Sequence, residues 1–86
     1  MAVTRGELID RLANELGLQP LSEAEIESVL ALAAAAAHGT GDRTSAPLAS
    51  FLAGVAAAGS KDRTDVLDRV RQQTGRITGP QSGAAA

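Results

Sequence analysis

The sequence predicts an all-α fold, a compact bundle of four short helices at about 4–17, 23–38, 45–58 and 62–74 with a flexible C-terminal tail. Three observations predict it. Apolar residues recur at three- and four-residue spacing in four separate segments. Each segment is bracketed by capping residues or glycine. The composition is rich in alanine and almost without aromatics, Phe51 being alone and Tyr and Trp absent. Alanine is the best helix former and a poor strand former, so a core must come from Leu, Ile, Val and close backbone approach.

Thr4 and Glu7 fit a capping box, in which each side chain satisfies the other residue's backbone amide. Leu8, Ile9, Leu12, Ala13 and Leu16 then form an apolar stripe. Glu7, Arg11 and Glu15 follow at four-residue intervals on another face and suit ion pairing along the helix. Gly17 suits a left-handed stop, with Leu18 folding back on the helix end.

Ser22 and Glu25 repeat the capping box. Ile26, Val29, Leu30 and Ala33 mark the stripe of the second helix, and Gly39 closes it beside His38. From Val29 to Ala37 no polar face remains. A helix apolar all round is normally buried, so this one is expected to be central or to lie against another subunit.

The stretch "GTGDRTSAP" reads as a loop. Ser45 is the expected N-cap of the third helix, and Pro47 is tolerated in its first turn. Leu48, Phe51, Leu52 and Val55 form the stripe expected to face the core. Gly54 offers a site for a close helix crossing, and Gly59 ends the helix. Ser60 or Asp62 caps the fourth helix, whose apolar residues are Val66, Leu67 and Val70. Asp65 and Arg69 pair at four-residue spacing, and Gly75 ends the helix. Residues 1–76 thus form one helical domain, and 77–86 read as a disordered tail.

The function classes excluded are several. The chain has 86 residues and no cysteine, so disulfide frameworks and thiolate metal sites are ruled out. One histidine cannot build a conventional zinc site. Eight basic residues against ten acidic ones give a net charge of −2, which argues against nucleic-acid binding. No segment approaches the ~20 apolar residues of a membrane span, and the amino end has no signal-peptide core. A cytoplasmic protein without cofactor is expected. The stretch from His38 to Ser45 exceeds the tight turn of a DNA-reading helix-turn-helix, and the helix after it carries no base-reading side chains.

Candidate chemistry is sparse. His38 near a helix C-terminus reads as a dipole partner or loop-packing residue, and no nucleophile accompanies it. Arg43, with Ser45 and the free amides of the third helix start, forms the one candidate ligand site, for an anion such as phosphate. Asp62 and Asp65 are explained by their place in a first helical turn. Arg69, Arg71 and Arg76 read as a solvated face.

Ala37, His38, Arg43, the Ala46-Pro47-Leu48 triplet and the Phe51-Leu52-Ala53-Gly54 segment, with the leading "ELGL" at 15–18, carry a resemblance. The pattern, over about Leu8 to Val70, resembles a small domain of unassigned function from high-GC bacteria. Members of that family stand alone or are attached to a molybdenum cofactor guanylyltransferase-type domain. This chain differs from the family's typical form in having no aromatic in its first helix. The resemblance implies a non-enzymatic accessory or interaction role in molybdopterin-guanine dinucleotide biosynthesis, with a guanylyltransferase as partner and His38 and Arg43 at the rim of an Ala-rich docking face. Two alternatives stand beside it. One is a module that grips a phosphate of a nucleotide or pterin through His38, Arg43 and Ser45; the other is a self-associating domain, a homodimer formed through alanine-lined faces.

Overall fold

Thr4 and Ser22 open the first two helices by the same device. In the computed structural model, which describes residues 2–79, the Thr4 and Ser22 hydroxyls accept from the amides of Glu7 and Glu25. Both glutamates reach back to the cap amides at 2.9 and 2.8 Å, so both capping boxes form as expected. The four helices are α1 (Arg5–Glu15), α2 (Glu23–Thr40), α3 (Ser45–Ala58) and α4 (Arg63–Thr78). The all-α, four-helix architecture is the one the sequence predicts.

The end of α1 also follows its local code. Gly17 takes a left-handed φ of 70°, and the Gly17 and Leu18 amides donate to the carbonyls of Asn14 and Ala13. This doubly bonded stop requires the left-handed residue that glycine supplies at no steric cost.

Two helix ends differ from expectation, and one contact explains both. Helix α2 runs through Gly39 and stops at Thr40, with Gly41 as the left-handed cap at φ 72°. Helix α4 runs through Gly75 to Thr78, so Ile77 and Thr78 are helical rather than tail. A Cβ at Gly39 would fall inside the Thr78 side chain. Gly39 therefore sets the close approach of α2 and α4, and the longer α2 gives the last turn of α4 a surface to lie on. Residues 80–86, the rest of the expected tail, lie outside the described residues. Gly54, the other candidate for a close crossing, has nothing within 4 Å of its Cβ direction.

Gly39→Ala is accordingly expected to destabilise the fold by about 1 kcal/mol, overpacking outweighing alanine's better helix propensity. In a Thr78→Gly background the same substitution becomes stabilising. Thermal unfolding of the four proteins in this cycle checks it.

The core lies where α2, α3 and α4 meet. Leu32, Ala53, Ala57 and Leu67 are buried, with Val29, Ala49, Val66 and Val70 packed around them. Leu32 is the largest fully buried side chain, so alanine supplies much of the seam and brings the helix backbones together. The buried row of α2 is Glu25, Ser28, Leu32 and Ala36, whereas Leu30, expected in the stripe, is half exposed. Exposed Ala31 and Ala34 cost little, because a methyl group presents little apolar surface.

Helix α1 stands apart from this core. None of its Cα atoms comes within 8 Å of a Cα in another helix. It leans on the connecting segment instead, where Ile9, Ala13, Leu16, Leu21 and Arg63 border a groove of about 260 Å³. Ala13 is its one buried residue.

Candidate docking surface

The loop between α2 and α3 holds the residues first suspected of binding a ligand. Its geometry is built by Thr40 and Asp42. The Thr40 hydroxyl donates to the Ala36 carbonyl at 2.8 Å and lies 2.9 Å from Ser45 Oγ. Asp42 Oδ1 accepts from the Thr44 amide and the Thr44 hydroxyl, at 2.9 and 2.6 Å. Those two bonds hold its carboxyl below the usual carboxylate range.

Ser45 does not cap α3, contrary to expectation. Thr44 occupies the cap position with helical backbone angles and no side-chain cap bond, and Ser45 is the first helical residue. The cause is the Asp42 turn, which starts the helical path one residue early. The Ser45 and Ala46 amides donate to the Asp42 and Arg43 carbonyls, and Pro47 has no amide hydrogen. The first turn of α3 therefore offers an anion little to bind.

Arg43 and His38 are both exposed. Arg43 forms no ion pair among the described residues, and no hydrogen bond there joins His38, Arg43 and Ser45. Of the arginines read as a solvated face, Arg69 pairs with Asp65 at 3.1 Å and Arg71 with Asp68 at 2.5 Å. The second pair holds the Asp68 carboxyl below its ordinary range. No group of three or more His, Asp or Glu side chains among the described residues could hold a metal ion. No helix there is long and apolar enough to cross a membrane.

The strongest polar cluster was missed in the sequence. Glu25 is 3 % exposed and receives Arg63 Nε at 2.5 Å and Nη2 at 3.0 Å. Arg63 Nη2 also donates to the carbonyls of Gln19 and Pro20, at 3.0 and 2.7 Å. The Thr64 hydroxyl donates at 3.2 Å to Glu25 Oε2, the oxygen that also accepts from Arg63 Nε. The Arg63 hydrogen bonds, with help from the Ser22 amide and against the cost of burial, bring the Glu25 pKa from the usual 4.5 to about 2. The cluster ties the α1–α2 connection, the start of α2 and the start of α4 into one clamp. Both carboxylate oxygens of Glu25 are engaged by groups of the chain itself, so the cluster acts as a brace between these elements.

The fold also leaves an apolar face open on α3. Helix α3 carries no charged residue in its 14 positions. Leu48, Phe51, Leu52 and Val55, expected in the core, point outward and are 66, 70, 68 and 57 % exposed. Ala53 and Ala57 face inward instead. The reason is steric: small residues let α3 lie close to α2 and α4, whereas the bulky face would hold the helices apart. The outer side of α3 is therefore a continuous apolar face with no charge on it.

No curated protein and no solved structure matches this chain. The model of one family, a domain of unknown function (DUF6457), matches residues 3–85.

Proposed function

The chain belongs to that family, and on this premise we propose that it is a non-enzymatic, cytoplasmic interaction module of molybdopterin-guanine dinucleotide biosynthesis. It docks on a molybdenum cofactor guanylyltransferase through the outward face of α3. The observation that supports this reading is the uncharged α3 with Leu48, Phe51, Leu52 and Val55 turned to solvent. A helix of this composition is ordinarily buried on all sides. The four side chains present an apolar patch on the order of 450 Å², the size at which exposed patches on small proteins mark binding sites.

The resemblance to domains attached to guanylyltransferases is carried in part by Leu48, Phe51 and Leu52. These residues contribute to the outward face and not to the core. Packing within the chain does not account for them, while a shared partner does.

Leu52→Glu is the decisive substitution, because burying a carboxylate at the centre of an apolar contact is costly. We expect it to weaken binding to the guanylyltransferase at least tenfold in a calorimetric titration, with the helical circular dichroism unchanged. Absence of association for the native chain at high micromolar concentration would overturn the reading, as would equal affinity of the variant.

A further inference from the structure

The first helix presents a second apolar face, separate from α3. Leu8, Leu12 and Leu16 recur every four residues along α1 and are 57, 52 and 61 % exposed, with Val3 and Leu18 extending the strip at either end. The helix is 11 residues long and does not pack on the other three. An isolated helix of that length is marginal in water, so the exposed strip needs a cover.

Charge placement points to the cover. The spacing of Glu7, Arg11 and Glu15 suggests pairing along the helix, but Glu7 is taken by the capping box. Arg11 and Glu15 form no ion pair among the described residues. Both border a hollow of about 210 Å³ with Val3, Leu8 and Leu12. A second α1 laid antiparallel across the leucine strip, with the two-fold axis at the level of position 13 along the helix, sets Arg11 of each copy opposite Glu15 of the other. The same register interleaves the leucines of the two copies. An isologous contact of this kind needs one self-complementary patch, and α1 carries one.

We infer that two copies of this chain associate through antiparallel contact of their α1 helices, closed by reciprocal Arg11–Glu15 pairs. The strip amounts to about 500 Å² per chain and about 1,000 Å² for the pair, the lower bound for a specific interface, so the dimer is weak and reversible. It leaves the α3 face free, and neither association depends on the other.

Sedimentation equilibrium of the full chain from tens of micromolar to about one millimolar tests the inference. The expected mass rises from 8.7 kDa toward twice that value. Leu12→Glu weakens association at least tenfold and keeps the circular dichroism of the α2–α4 core, to which Leu12 does not contribute. Arg11→Glu weakens it severalfold, and Arg11→Glu with Glu15→Arg restores it to near the native level. A monomer at every concentration overturns the inference. So does association that survives Leu12→Glu, that is lost with Leu52→Glu alone, or that the double charge exchange fails to restore.

Discussion

Replacing Glu25 with alanine removes about 3 kcal/mol of folding stability and frees α1 from the rest of the protein. The figure has two sources. A carboxyl held near pKa 2 when folded and near 4.5 when unfolded contributes about 3 kcal/mol at neutral pH. Removing one member of a buried ion pair strands the other, at a cost of about 3–5 kcal/mol for well-buried pairs; Arg63 is 29 % exposed, which places the cost at the lower end. The local effect follows from Arg63, which loses the carboxylate that orients its bonds to the Gln19 and Pro20 carbonyls.

The pH dependence carries the same signature. The folded pKa lies below the unfolded one, so the contribution is complete above about pH 4.5. It fades as the pH falls from about 4.5 through 2 and is gone only below the folded value, where both states hold the proton. Urea titrations across that window are expected to show native stability declining by about 3 kcal/mol more than that of Glu25→Ala. Equal slopes for the two proteins would refute the clamp.

Leu32→Ala is expected to be as damaging by a different route. Leu32 is fully buried at the meeting of the three core helices, and such truncations cost about 2–5 kcal/mol through lost transfer energy and the remaining cavity. A domain of this size has only about 4–12 kcal/mol in total, and each kcal/mol shifts Tm by about 4–8 °C. The melting temperature should therefore fall by about 8–40 °C. Leu52→Ala, the same chemical change on α3, is expected to alter stability by less than about 0.5 kcal/mol, because Leu52 is 68 % exposed. Thermal melts of the two variants side by side test the inside-out orientation of α3. Similar losses would mean that Leu52 is a core residue after all.

Leu32 and Leu52 also show where the sequence stops being informative. The helices were legible, because capping boxes at Thr4 and Ser22 and the left-handed Gly17 are local signals, complete within a few residues. Which side of α3 faces inward was not. Its periodicity marks two faces, one of alanine and one of bulky residues, and no polar residue decides between them. The choice is made by how closely α2 and α4 approach, which the α3 segment does not encode. Gly39 was mistaken for a helix stop because its neighbour, Thr78, is distant in the chain. The Glu25–Arg63 clamp was hidden for the same reason, since its partners lie 38 residues apart. Glu25 had a sufficient local explanation as a capping glutamate, and nothing local singled out Arg63. Of the candidate ligand site, His38, Arg43 and Ser45 fall in or beside the loop as expected, but Ser45 turns to Thr40, and no hydrogen bond draws the three together.

Phe51 gives the molecule an unplanned spectroscopic advantage. It is the sole aromatic ring besides the His38 imidazole, and it stands on the surface proposed for docking. Its proton resonances are therefore free of overlap from other benzenoid side chains, and a neighbour settling over that surface alters its magnetic surroundings directly. The unlabelled chain thus carries its own reporter at the contact, and occupancy becomes readable from one isolated group of lines.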